Sequence, residues 1–107
     1  MKGEYIGEFE EMIMLLVGIL GEEAYGLSIV DQLKEQANRT ATIGAVHATL
    51  NRLENKGFLK SELKGATNER GGRRKRIFEL TAHGKVVLES SNEVRANLWH
   101  QYSLKSI

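Results

Sequence analysis

Apolar residues return at helical spacing in four stretches of the chain, and two shorter stretches alternate. From Glu8 to Leu20 (EFEEMIMLLVGIL) acidic residues open the run, where they complement a helix dipole, and Gly21 follows as a candidate C-cap residue. The second half of this helix is apolar around its whole circumference, so it needs cover on every side. In so short a chain the outer cover is expected from another subunit. A second helix is predicted from about Ala24 to Ala37, with Leu27, Val30 and Leu33 as a buried stripe and Ile29 beside it. After the polar connection Asn38 to Ala41, Thr42 is placed to cap a third helix, Ile43 to Lys56, and Gly57 lies just past its end. Val46, Leu50 and Leu53 form its inner stripe. Its other face carries Gly44, His47, Ala48, Asn51, Arg52 and Asn55, which are small or hydrogen-bonding.

Phe58 to Leu63 and Arg76 to Leu80 read as two antiparallel strands joined by a polar, Gly-containing loop. Thr81 can cap a last helix, Ala82 to about Ser103, with Val87, Val94, Leu98 and Tyr102 on one face and Leu88 and Trp99 widening it. The expected covers for that face are the first helix, through Met12 and Leu16, and the same helix of a second chain, which favours a symmetric dimer. The expected fold is therefore mainly α with a small β hairpin. Residues 1–81 are expected to form a winged helix-turn-helix and residues 82–107 a dimerisation helix.

Composition narrows the chemistry. The 107 residues include no Cys, which excludes disulfides, thiolate nucleophiles and Cys-ligated zinc. Folded alone, a chain of this size buries only roughly 60 to 70% of its extended surface, so an obligate partner fits. The apolar run Met12 to Leu20 is too short to span a bilayer and its acidic flank is wrong for a signal peptide, so a cytoplasmic protein with no membrane contact is expected.

The net charge of +1 conceals a strong asymmetry. Residues 1–38 hold two basic against eight acidic side chains, net −6, whereas residues 56–76 hold eight basic against two acidic, net +6. Positive potential is therefore concentrated in one place. A capped helix with a short polar face, followed by a basic hairpin loop, suits DNA. Asn51 can pair with adenine and Arg52 with guanine or a phosphate, while Arg70, Arg73, Arg74, Lys75 and Arg76 can neutralise phosphates or enter a minor groove. The plainer alternative is a surface helix beside a solvated charge run. Gly71 and Gly72 fit a tight turn at the loop tip, and the full phosphate-loop pattern is absent. His47, His83 and His100 lack ligand-like spacing, and no nucleophile sits beside a base, so no cofactor, metal or catalysis is expected. Trp99, the only Trp, reads as an interface anchor or as one wall of a pocket for a flat effector at the dimer centre.

The segments GEFEEMIMLLVGIL, EEAYGLSIVDQL, TIGAVHATLNRLENKGFLKSEL and ERGGRRKRIFELTAHGKVVLE together resemble the PadR family of bacterial transcriptional regulators, over about Gly7 to Leu98. The resemblance implies a winged helix-turn-helix, a C-terminal dimerisation helix and repression at palindromic operators. By position, Tyr25 would help to hold the second helix near the DNA backbone, Ile43 to Lys56 would be the recognition helix, and Arg70 to Arg76 the wing. Thr42, His47, Ala48, Asn51, Arg52, Tyr25, Arg70, Arg73, Arg74 and Lys75 are the expected DNA-contacting residues. Met12, Leu16, Val94, Leu98, Trp99 and Tyr102 are the expected dimer contacts. His47 and Ala48 stand where many relatives have Tyr and Pro. Some small relatives bind flat aromatic compounds between their dimerisation helices, which would make Trp99 an effector contact.

The expected function is a homodimeric, sequence-specific, DNA-binding repressor relieved by a small effector. Its rivals are a sensor whose main event is binding a flat aromatic compound at the dimer interface, and a protein-interaction module that offers the acidic N-terminal block to a partner.

Overall fold

The structure, a computed structural model, describes residues 5–65 and 74–105. Arg70, Gly71, Gly72 and Arg73 lie outside the described residues. The elements run α1 (Glu8–Leu20), a 3₁₀ turn (Gly21–Glu23), α2 (Gly26–Ala37), α3 (Ile43–Asn55), β1 (Leu59–Lys64), β2 (Lys75–Leu80) and α4 (Ala82–Lys105).

Local chemistry fixes where each helix starts and stops. The Gly7 amide donates to Glu10 Oε1 at 2.9 Å, and Gly21, at φ +60°, ends α1. Asn38 closes α2 in the left-handed conformation, φ 51°, and the Arg39 amide reaches back to the Leu33 carbonyl at 3.0 Å. Thr42 caps α3 by accepting from the Ala45 amide at 3.0 Å. Thr81 begins α4 by accepting from the Gly84 amide at 2.9 Å while its hydroxyl donates to the Gly57 carbonyl at 2.7 Å. Gly84 is required on steric grounds as well, because a Cβ there would collide with the Phe58 carbonyl.

The core joins Ile13, Met14 and Val17 of α1 with Ile29 and Leu33 of α2, Val46, Leu50 and Leu53 of α3, and Phe58, Leu59, Phe78 and Val87. The two strands are antiparallel, with Leu59 opposite Leu80, Ser61 opposite Phe78 and Lys64 opposite Lys75. The Phe78 amide also donates to the Ala24 carbonyl at 2.9 Å, which fastens the hairpin to the entry of α2.

Several expectations are corrected. The α2 stripe is Gly26, Ile29 and Leu33 with Val30 partly buried; Leu27 is 60% exposed. The apolar spacing admitted two faces, and the one that packs has Gly26 where α2 meets α3. Helix α2 starts at Gly26 rather than about Ala24, because Ala24 and Tyr25 are not helical and Tyr25, extended, is the N-cap residue. The strands lie one residue further toward their loop than predicted, α3 ends at Asn55, and α4 continues to Lys105. Within one chain the outer side of α1 stays open at Leu15 and Ile19. Of the residues of α4 only Gly84 and Val87 are buried, and its second half exposes Val94, Leu98, Trp99 and Tyr102.

Candidate nucleic-acid interface

Helix α3 buries Val46, Thr49, Leu50 and Leu53, so the opposite side, with Gly44, Ala45, His47, Ala48, Asn51 and Asn55, is exposed. Apart from His47 these side chains are short and uncharged, which allows the helix backbone to come close to whatever it meets. Thr42 is exposed at the start of this face, with its hydroxyl oxygen occupied by the cap bond.

The start of α2 joins this face to the hairpin. Tyr25 is the N-cap residue of α2, and the Lys75 ammonium lies 4.2 Å from the centre of its ring. The next residue, Gly26, packs so tightly on α3 that an added Cβ would stand 2.7 Å from His47 Nε2 and 3.0 Å from Ile43 Cδ1. Lys75, Tyr25, Gly26 and His47 thus form one continuous strip from the base of the wing to the outer face of α3. Arg74, also exposed, precedes Lys75. A second linkage runs beside it: Arg76 Nη1 donates to Ser61 Oγ at 3.0 Å, and that hydroxyl donates to Glu54 Oε2 at 2.9 Å, binding both strands to the end of α3.

Arg52 stands apart from the residues with which it was grouped. Its Nε donates to Glu10 Oε2 at 3.1 Å, and Lys56 Nζ reaches the same oxygen at 3.1 Å. Arg52 thus makes an intramolecular ion pair while its side chain stays 52% exposed. Burial raises the Glu10 pKa, but the Gly7 amide, Arg52 and Lys56 more than offset this and hold it below its ordinary value.

Glu10 belongs to a group that pattern reading did not find. Each acid in the first turn of α1 is paired with a different part of the fold: Glu8 with Arg39 between α2 and α3 at 3.1 Å, Glu10 with α3, and Glu11 with Arg95 of α4 at 2.7 Å. Three acids of the N-terminal block, Glu8, Glu10 and Glu11, are therefore engaged internally. One signal was available in the sequence, since Arg52 and Lys56 are four apart and so project from the same side of α3.

The expected dimer contacts fall into two groups. Val94, Leu98, Trp99 and Tyr102 are each at least 58% exposed along α4, with the Trp99 and Tyr102 rings 5.5 Å apart. Met12 is half-buried and Leu16 is largely enclosed by the core of its own chain, at 7%. They border a shallow cavity of about 170 Å³ on the α1–α2 surface, beside Leu15 and Ile19. Among the described residues, no cluster of three His, Asp or Glu side chains could hold a metal ion, and no helix is long and apolar enough to cross a membrane.

Comparison with known proteins agrees with this arrangement. Residues 15–90 match the profile of the transcriptional regulator PadR-like family. The fold is similar to a PadR-like transcription factor from Bacteroides fragilis, with a TM-score of 0.73, 27% identity and coverage of 89% of this chain and 86% of that one. It is similar to a PadR family transcription regulator from Clostridium difficile, with a TM-score of 0.65, 29% identity and coverage of 85% and 96%. It also resembles Bacillus subtilis PadR in complex with operator DNA, with a TM-score of 0.65, 23% identity and coverage of 77% of this chain but 45% of that longer one. No curated protein matches the chain significantly. Members of this family are transcriptional regulators and not enzymes. A match over residues 15–90, more than half of the sequence, together with a helix-turn-helix, hairpin and long C-terminal helix, establishes that the chain belongs to the PadR-like family of transcriptional regulators.

Proposed function

We propose that the chain is a homodimeric, sequence-specific DNA-binding repressor that a small-molecule effector releases from its operator. The observation that carries this reading is the continuous strip of Lys75, Tyr25, Gly26 and His47, which puts a cationic wing base beside the open, uncharged face of α3. His47, Ala48 and Asn51 meet base edges in the major groove, with the Ala48 methyl suited to thymine and the Asn51 amide to adenine. Thr42 and Tyr25 lie along the backbone, and Arg74 and Lys75, with Arg70 and Arg73, take phosphates. The solved complex of B. subtilis PadR with operator DNA supports the reading through its similar fold.

In this proposal residues 1–81 form the DNA-binding unit and residues 82–107 the dimerisation helix. Val94, Leu98, Trp99 and Tyr102, exposed along α4, have a ready use in a second copy, where removing their apolar surface from water stabilises the dimer. The open α1 surface at Leu15 and Ile19, bordered by the half-buried Met12 and the edge of Leu16, offers a matching apolar strip. A gel shift with DNA from upstream of the protein's own gene, repeated over a range of salt, tests the proposal. A complex that weakens steeply as salt rises is expected, and no complex at low salt would refute it.

The exposed Trp99 and Tyr102 pair favours a second reading, a sensor whose main event is binding a flat aromatic compound between the two α4 helices. Trp99 fluorescence quenched by such a compound, with no DNA complex in the gel shift, would select it.

A further inference from the structure

Helix α3 carries Arg52 in its last turn and Lys56 as its C-cap residue, and a DNA-binding helix ordinarily turns such cations toward phosphates. Here both converge on one oxygen of Glu10, each at 3.1 Å. The carboxylate is well held: its side chain is 10% exposed and its other oxygen accepts from the Gly7 amide at 2.9 Å. The Arg52 and Lys56 side chains, by contrast, remain 52% and 34% exposed, so they keep a route to solvent and to any polyanion that approaches. With Glu10 ionised, this corner of α3 carries one net positive charge instead of two.

We propose that Glu10 determines DNA specificity by withholding Arg52 and Lys56 from the phosphate backbone, leaving recognition to the uncharged face of α3 and general attraction to the wing. This deepens the DNA-binding reading and rests on it. Phosphate contacts from Arg52 and Lys56 would strengthen binding to every sequence alike and so narrow the gap between operator and random DNA. Glu10 removes that indiscriminate attraction at its source. It acts through its two partners and touches no DNA itself.

The test uses the full chain and fluorescence anisotropy on two duplexes, the protein's own upstream DNA and a scrambled duplex of equal length and composition, from about 50 to about 200 mM salt. Glu10→Gln keeps the shape of the side chain and removes its charge. It is expected to bind scrambled DNA more tightly, on the order of threefold to tenfold at low salt, with a salt slope steeper by about 1 to 2. Its preference for the upstream DNA should fall by a similar factor, and Glu10→Asp should restore the wild-type slope. A purely structural Glu10 would weaken both duplexes together at an unchanged slope, and that result overturns the inference. Arg52→Gln gives an answer even if Glu10→Gln folds poorly, because Lys56 still pairs with the carboxylate. An unchanged slope is expected. A slope shallower by about 0.9 would mean that Arg52 already contacts a phosphate, and the inference would fall while the DNA-binding reading stands. Wild-type protein that binds neither duplex would overturn both.

Discussion

At Gly26 the approach of α2 to α3 leaves no room for a methyl group, and the first atoms that it would meet belong to His47 and Ile43, which line the proposed reading face. Gly26→Ala is therefore expected to alter specificity more than stability. The imidazole tip can swing away, but it then presents a different edge to the groove. Circular dichroism melts close to wild type, together with changed preference at one base position in a binding-site selection, would confirm this. Gly84 predicts the opposite balance, because its neighbour is the Phe58 backbone, which cannot move aside. Gly84→Ala should cost about 1 to 3 kcal/mol in a denaturant titration and leave base preference unaltered. Glu10 adds a pH dependence. Its folded pKa is held below the ordinary value of 4.5, so its stabilising contribution is complete above that pH and is lost as the pH falls through the folded value. Melting temperature should decline in that acid range in the wild type and less steeply in Glu10→Gln.

Among the elements, what could be read in advance depended on whether the information was local. Thr42, Gly21 and Thr81 end or begin helices through bonds within a few residues, and each cap was legible in the sequence. The inner stripe of α3 was equally clear, since Val46, Leu50 and Leu53 admit a single face. In α2 the buried face includes Gly26, which carries no hydrophobic signal, so the regular spacing of Leu27, Val30 and Leu33 pointed to a face rotated from the true one. The partners of Glu10 are 42 and 46 residues away, and only tertiary packing brings them together. At the wing, one of the contacts that tie the hairpin to the site can be removed singly. Lys75→Ala abolishes the charge above the Tyr25 ring and a cation at the base of the hairpin. DNA affinity should fall for all sequences, with a salt slope shallower by about 0.9.

For the molecule as a whole, the near-neutral charge is a balance of two arrangements. Acids at the start of α1 pair with Arg39, Arg52, Lys56 and Arg95 and hold the helices together, whereas Arg74 and Lys75 lead into the basic hairpin. Long α4 rises by about 36 Å over its 24 residues, with its second half uncovered in one chain. Leu98→Asp on that surface should shift the molecular mass measured by light scattering from dimer to monomer and weaken operator binding, while the helix-turn-helix core stays folded. A monomeric wild type would contradict the proposed assembly.

The central claim, that a dimer reads DNA through two copies of α3, makes a geometric demand that footprinting examines directly. Two α3 helices related by a twofold axis should protect an inverted repeat in the upstream DNA, with half-sites centred about 10 to 10.5 base pairs apart, or a multiple of that, and protection should disappear with rising salt. Uniform protection without a repeat, or none at any concentration that saturates a gel shift, would contradict the account.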